Sequence, residues 1–391
     1  MDKTADPALI TTPVPLECLT SLAHLTGTNG TNRAPHFVTQ QIDAQNDLQA
    51  IQTWLAEFDD SPQTQRTYRK EAERLLLWSL LKAEKALSSL TRDDLRRYQA
   101  FLECPEPAAQ WCGPRKLRHD PNWRPFQGPL NPNSIAQAIT IINALFNYLV
   151  EAGYLSGNPL GLMRRKLTKR FDQQAKMTER FLEQPLWQLI INFVEEMPRT
   201  AQRNIIDYER KRYLLHLLYL LGPRVSEVAH HKMNSIQEIR GKWWWEVTGK
   251  GQKTQKIPVS DAMLNALMRY RQCYGLNPLP TTEDKSALFL NLNGIRGITG
   301  NMIYRLIKQI FGGCAQAIEK QHPNYANKLR KASTHWLRHT SITHQTDAGI
   351  ELRYIKRNAR HESVETTMLY QHAEEEKWHN AMANYKLIND R

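Results

Sequence analysis

The chain has 391 residues, with 52 lysines and arginines against 39 aspartates and glutamates, which gives a formal net charge of +13. Its 41% hydrophobic and 23% charged residues are typical of a folded protein of two or three domains, and no apolar stretch reaches the ~18 residues of a membrane span. The excess of positive charge favours a polyanionic partner, with nucleic acid first.

The N-terminus and the cysteines indicate a compartment. Residues 1–6 lack the basic region and apolar run that are typical of a secretory signal. The five cysteines are few and scattered, so we expect reduced thiols in a cytoplasmic protein. Their positions are Cys18, Cys104, Cys112, Cys273 and Cys314.

The first part of the chain is predicted to be a helical domain with a flexible arm before it. Residues 1–44 show no periodicity and carry a turn-rich segment at 26–32, which favours a loose N-terminal arm. Apolar residues then recur at helical spacing over residues 45–160. The predicted helices begin at Asp47 and after Ser61, and cover residues 93–102 and 133–152. Residues 103–130, rich in proline, tryptophan and basic residues, are predicted to be an insertion or loop.

A basic linker is predicted over residues 161–177. Its cations are expected to contact DNA, although a solvated tether is the alternative interpretation. The residues are Arg164, Arg165, Lys166, Lys169 and Arg170.

The rest of the chain, residues 178–391, is predicted to be a second, mostly helical domain. Two β-prone arms around a Gly-Lys-Gly turn predict a β-hairpin over residues 242–259. Helices are predicted over 186–196 and 204–221, from Asp261 and Thr299, after Ser333 and Leu352, and in the tail. The predicted fold is therefore mainly α, with two domains and one small antiparallel sheet.

Three segments of this second domain place cations or imidazoles at locally exposed points. In the first, Gly222-Pro223 ends a helix before Arg224, and Glu227 lies one helical turn further on, where it can hold the guanidinium. A surface ion pair is the alternative. In the second, Lys250 lies between two glycines, so its ammonium is little shielded. A solvent-exposed turn is the alternative.

The third segment places His335 and Arg338 on one face of a helix, with Leu337 directed to the core. His335 and His339 also have the spacing of two metal ligands. A third ligand and an intervening glutamate are missing from the segment, so a metal site is disfavoured.

A fourth segment, residues 360–372, has His361 nine residues before Tyr370. Together the four segments resemble the tyrosine recombinase (phage integrase) family. That family has an arginine in Gly-x-Arg-x-Ser-Glu, a lysine in a Gly-Lys-Gly hairpin turn, a His-x-x-Arg pair, and a histidine nine residues before a nucleophilic tyrosine. The residues that match, in the same order, are Arg224, Lys250, His335, Arg338, His361 and Tyr370.

The resemblance implies a site-specific DNA recombinase that acts through a 3′-phosphotyrosine and a Holliday junction. Arg224 and Arg338 would hold the non-bridging phosphate oxygens, and Tyr370 would attack phosphorus. Lys250 would protonate the leaving oxygen, with Lys253 in contact with DNA. His335 would accept or relay the tyrosine proton, and His361 would hydrogen-bond the phosphate. No metal, ATP or other cofactor is expected.

The resemblance also implies partners and a setting. Residues 45–160 are similar to the family's helical, SAM-like core-binding domain. The expected assembly is a homotetramer on two double-stranded DNA sites in the bacterial cytoplasm, associated with the nucleoid when bound, for a mobile element, phage or plasmid. Whether a partner recombinase or an accessory factor is needed stays open. A tail helix with an apolar stripe is expected to dock into a neighbouring protomer or onto its own domain.

One departure and three alternatives accompany this interpretation. The family has Leu-Gly before the second histidine, where this chain has Ala359-Arg360, so Arg360 is expected to contact DNA or change the turn. A phosphotyrosine topoisomerase or telomere resolvase, or a DNA-binding protein without catalysis, would carry similar motifs. A zinc protein that uses Cys104, Cys112 and His119 is disfavoured by their irregular spacing.

Overall fold

The computed structural model describes residues 12–19, 25–35, 37–162, 180–249 and 254–360, and the chain divides into two compact units, Met1–Lys166 and Leu167–Arg391. The described helices of unit 1 are α1 (Asp47–Ala56), α2 (Pro62–Leu81), α3 (Arg92–Glu103), α4 (Ala108–Trp111) and α5 (Pro132–Glu151).

The described helices of unit 2 are α6 (Gln184–Glu195), α7 (Gln202–Leu220), α8 (Val225–His230), α9 (Asp261–Gln272), α10 (Gly300–Ile318), α11 (Pro323–Lys331), α12 (Thr334–Asp347) and α13 (Leu352–Ala359). The strands are β1 (Ile236–Ile239), β2 (Lys242–Thr248) and β3 (Thr254–Pro258). They form one antiparallel sheet in the order β1-β2-β3. The predicted fold class is confirmed. In the described part of the chain, no helix combines the length and the apolar character needed to cross a membrane.

Helix starts follow the capping signals of the sequence. Thr91 and Asp94 form a reciprocal capping box at the start of α3. The side chain of Asn131 accepts the backbone N–H of Ser134 at 2.9 Å, with Pro132 as the first residue of α5. These local bonds satisfy backbone donors that the first helical turn leaves free, so the observed starts lie close to the predicted ones.

The predicted insertion at 103–130 is irregular apart from the short α4, yet it belongs to the core of unit 1. Trp111 and Phe126 are each about 1% exposed. The Trp111 ring packs edge-on against Phe101 of α3, with centroids 4.9 Å apart. The segment therefore contributes two large aromatic side chains to the packing of unit 1.

The prediction of a flexible arm over residues 1–44 is wrong for the described part of that range. Leu16 and Leu19 are buried in the core of unit 1. The backbone N–H of Leu16 donates to buried Glu73 at 2.7 Å, and Arg118 of the insertion pairs with both Glu17 and Glu73. The helical-periodicity criterion fails here because the segment packs without regular secondary structure.

The core of unit 2 surrounds α7 and one face of the sheet. Tyr213 of α7 stacks on Tyr270 of α9, with centroids 4.3 Å apart. In the sheet, Trp245 pairs with Ile236 on β1 and Ile257 on β3, and all three are buried. The two arms of the predicted hairpin are confirmed as β2 and β3, whereas β1 and α11 were not predicted.

Candidate active site

The site is built on the turn that follows α7. Gly222 has φ +56°, a left-handed conformation that favours glycine, and a Cβ there would lie 3.0 Å from the Ser341 hydroxyl of α12. Pro223 follows, and Arg224 is the N-cap residue of α8. The turn thus places Arg224 beside α12, which carries His335 and Arg338.

Glu227 holds Arg224 as the sequence predicted. Its carboxylate accepts the backbone N–H of Arg224 at 2.7 Å and the Arg224 Nη1 at 3.1 Å. The Glu227 side chain is 4% exposed, whereas that of Arg224 is 42% exposed. The guanidinium is therefore held by Glu227 through Nη1, while much of the side chain stays exposed, as an anion-binding group requires.

Arg338 is buried and joins two loops. Its Nη1 donates to the Gly222 carbonyl at 2.6 Å, and its Nη2 donates to the Ala359 carbonyl at the end of α13. The same arginine thus contacts the turn before Arg224 and the residue pair that precedes His361. Leu337 is fully buried, as predicted.

His335 lies at the start of α12, with its ring 4.2 Å from that of His339. Part of its surface meets solvent, but burial of the ring is the largest cause that lowers the pKa of His335. The positive charges of Arg338, Arg180 and Arg224 lower it further. At neutral pH the imidazole is therefore uncharged, which is the form that accepts a proton.

The structure brings together Arg224, Glu227, His335 and Arg338. The remaining predicted site residues lie outside the described residues: Lys250, Lys253, His361 and Tyr370, and the linker cations Arg164, Arg165, Lys166, Lys169 and Arg170. Their roles stay predictions, as do the boundaries of the basic linker.

The strand that leads to Lys250 is nevertheless connected to the site. The backbone N–H of Thr248, at the end of β2, donates to His231 Nε2 at 2.9 Å. The other ring nitrogen, Nδ1, lies 2.8 Å from the Glu227 carbonyl and donates to it in the neutral tautomer. One histidine thus joins α8, which carries Glu227, to the hairpin.

Sequence reasoning missed three residues of the site. Arg180 adds positive charge near His335, and His231 connects the hairpin. Arg360, noted only as a departure from the family pattern, forms an ion pair with Glu227. The unusual residue at 360 was the available signal, whereas the other two contacts join residues distant in sequence.

The metal alternatives receive no support from the described residues. In that part of the chain no three His, Cys, Asp or Glu side chains are placed to share a metal ion. Cys104, Cys112 and His119 are all described and do not form such a group.

Comparison with known proteins gives a consistent family. The model of the phage integrase family matches residues 188–377. The tyrosine recombinase XerD of Staphylococcus aureus (strain Mu50) is 27% identical over 296 residues, which cover 75% of this chain and 90% of that protein. The tyrosine recombinase XerC of Chlorobaculum parvum is 27% identical over 255 residues, 62% of this chain and 70% of that protein.

Solved structures show the same fold. The XerH site-specific recombinase bound to its difH substrate, in a pre-cleavage complex, aligns with a TM-score of 0.54 at 16% identity, over 85% of this chain and 84% of that one. A variant of the Tn1549 transposon integrase in complex with a circular intermediate DNA aligns with a TM-score of 0.55 at 16% identity, over 84% of this chain and 98% of that one.

Proposed function

The chain belongs to the tyrosine recombinase (phage integrase) family through residues 188–377, and we propose that it is a site-specific DNA recombinase. It cuts one strand through attack of Tyr370 on a phosphodiester and forms a 3′-phosphotyrosine with a free 5′-hydroxyl. The hydroxyl of another strand then attacks that linkage and releases Tyr370, which generates a Holliday junction after the first exchange. The energy of the broken bond is kept in the protein–DNA linkage.

The observation that carries the proposal is that Arg224 and Arg338 meet at the Gly222 turn, with His335 near enough for both charges to lower its pKa. The guanidinium groups of Arg224 and Arg338 stay protonated and match the geometry of phosphate oxygens. Negative charge on those oxygens increases in the pentacoordinate transition state, so both cations stabilise it more than the ground state. Neutral His335 takes the tyrosine proton, and Lys250 gives one to the leaving oxygen.

The assembly we propose is a homotetramer on two DNA sites. Strand exchange needs two cuts on each of two duplexes, and each protomer supplies one nucleophile. The enzyme acts in the cytoplasm of a bacterium on the DNA of a mobile element, phage or plasmid. The reaction uses no metal or ATP, since arginines supply the positive charge and the phosphotyrosine retains the bond energy.

Covalent trapping tests the proposal. A target duplex with a nick near the cleavage position loses a short fragment after attack, so the phosphotyrosine accumulates. Wild-type protein should give an SDS-stable protein–DNA adduct. Tyr370→Phe loses only the hydroxyl and should give no adduct, a loss of at least about 10³-fold. Denaturing gel electrophoresis with end-labelled DNA measures the product.

Tyr354, an exposed tyrosine of α13, provides the matched control. Tyr354→Phe should leave adduct formation unchanged, and both variants should bind the site within about threefold of wild type in a band-shift titration. An adduct formed by Tyr370→Phe would assign the nucleophile to another residue.

A further inference from the structure

The last described residue of unit 2, Arg360, has an unusual backbone conformation for its type. It follows α13 with φ +51° and ψ +47°, in the left-handed region where helices commonly end on glycine. Its backbone N–H donates to the Arg357 carbonyl at 3.2 Å, which closes the helix end. A residue with a Cβ is disfavoured in this conformation. Contacts of the Arg360 side chain must therefore offset a backbone cost that glycine would not have.

That side chain is buried, and each of its three nitrogens donates to a protein group. It is 7% exposed, and Nε donates to Glu227 at 3.1 Å while Nη2 donates to the second Glu227 oxygen at 2.5 Å. The remaining nitrogen, Nη1, donates to the Asn358 carbonyl at 2.8 Å. All three nitrogens thus have protein partners, which disfavours the expectation of a direct DNA contact by Arg360.

Glu227 is consequently shared by two arginines. Its carboxylate accepts Arg224 and Arg360 together, and it is 4% exposed. The group of three carries a net charge of +1, whereas Arg224 and Glu227 alone would be neutral. A neutral pair attracts a phosphate less than a group with a remaining positive charge.

The peptide bond between Ala359 and Arg360 also concerns the second arginine of the site. Its carbonyl oxygen accepts Arg338 Nη2. The ion pair with Glu227 fixes Arg360, and therefore fixes the peptide that this carbonyl belongs to. Arg224 and Arg338 are thereby held through one residue, and His361 follows it directly in the chain.

We propose that Arg360 is a positioning residue of the strand-transfer reaction, which orients Arg224 through Glu227 and Arg338 through the Ala359 carbonyl. This inference rests on the proposed function. It predicts that Arg360 affects the rate of the chemical step, with little effect on DNA binding, and that its effect requires the Glu227 carboxylate.

A double-mutant cycle tests the dependence on Glu227. Arg360→Gly is compatible with the left-handed backbone, and it removes the ion pair. Single-turnover adduct formation on the nicked duplex, at saturating protein, should be slower by about 10-fold or more, with binding within about threefold. In a Glu227→Gln background, Arg360→Gly should reduce the rate by no more than about twofold, because the two residues act together.

Arg360→Lys keeps the charge but replaces the two-pronged donor with a single ammonium, so it should recover part of the rate. A substrate with an uncharged methylphosphonate at the cleavage position gives a second readout. It carries less charge for misplaced arginines to stabilise, so the defect of Arg360→Gly relative to wild type should become smaller on it. General damage to the fold would produce the same defect on both substrates.

The opposite results overturn the inference. They are an Arg360→Gly rate within twofold of wild type, equal losses in both Glu227 backgrounds, or a loss of DNA binding that accounts for the rate. If Arg360→Gly fails to fold in thermal unfolding, Arg360→Asn replaces it, since asparagine tolerates this backbone conformation. Failure of both to fold would make Arg360 a stability residue. Wild-type protein that forms no adduct would overturn the proposed function, and this inference with it.

Discussion

At the scale of single residues, the candidate site concentrates positive charge around one carboxylate. Arg224 and Arg360 share Glu227, and Arg338 donates to carbonyl groups on either side. An anion between these groups would replace the water that the exposed side of Arg224 now meets. Burial of the ring and the charges of Arg338 and Arg224 lower the pKa of His335, so these two arginines serve phosphate binding and proton transfer together.

The pH dependence of the reaction should report the charges near His335. Arg180→Gln removes one of the positive charges that lower the pKa of His335, so the pKa should rise toward its ordinary value. If neutral His335 accepts the tyrosine proton, adduct formation in the variant should then fall at a higher pH on acidification than in wild type. At about pH 8 both proteins should react at similar rates, because the imidazole is neutral in both.

Single-turnover rates between about pH 5 and pH 8.5 measure this shift. Arg203→Gln, which removes a charge from an exposed position of α7, provides the control and should leave the profile unchanged. An acid limb that stays in place or moves to lower pH in Arg180→Gln would contradict the role of neutral His335.

At the scale of elements, two segments outside the helices concern the site and the core. Strands β2 and β3 are paired to their ends at Thr248 and Thr254, and Lys250 lies between those two residues in the sequence. The irregular segment 103–130 fills the core of unit 1 with Trp111 and Phe126.

The role of Lys250 can be tested by changing the leaving group of the DNA substrate. If Lys250 protonates the 5′-oxygen, Lys250→Ala should cleave a normal phosphodiester at least about 10²-fold more slowly. It should cleave a 5′-bridging phosphorothiolate at close to the wild-type rate, because a thiolate leaves without a proton. Adduct formation on both substrates measures the effect. If Lys250 is the acid, Lys253→Ala should show no rescue that depends on sulfur. Absence of rescue in Lys250→Ala would reassign the acid to Lys253 or a histidine.

The segment 103–130 should prove essential for the stability of unit 1. Trp111→Ala removes a ring that is about 1% exposed and should cost about 3–5 kcal/mol, since the cavity cannot fully close. The unfolding transition of that unit should fall by about 10 °C. Leu117→Ala, in the same segment but 68% exposed, should change it by less than about 2 °C. Differential scanning calorimetry compares the two, and equal small shifts would contradict a core role.

At the scale of the whole molecule, the chain combines two compact units with a net charge of +13. Each unit has its own hydrophobic core. The surplus positive charge attracts backbone phosphates whatever the base sequence. We therefore expect the protein to gain most of its affinity for duplex DNA from these phosphates.

Binding should therefore weaken steeply with salt. The logarithm of the association constant should fall by about 0.9 per phosphate neutralised for each tenfold increase in salt. Replacing Arg164, Arg165 and Lys166 with glutamine should reduce that slope by up to about 2.7 if each contacts a phosphate. Fluorescence anisotropy with a labelled duplex measures both. The control replaces Arg330, which is already paired with Glu319, and should leave the slope unchanged. An association constant of the wild-type protein that does not change with salt would contradict binding through phosphate contacts.

The sequence by itself determined most of the helices, their caps and the two hairpin arms, because each depends on residues within a turn or two of one another. The contact of Glu227 with Arg224 belongs to the same class. Tertiary structure decided the rest. Leu16 and Leu19 pack without periodicity, His231 reaches β2, and Arg360 meets Glu227 across 133 residues of chain. Such contacts depend on which surfaces the fold brings together, and the spacing of neighbouring residues does not predict them.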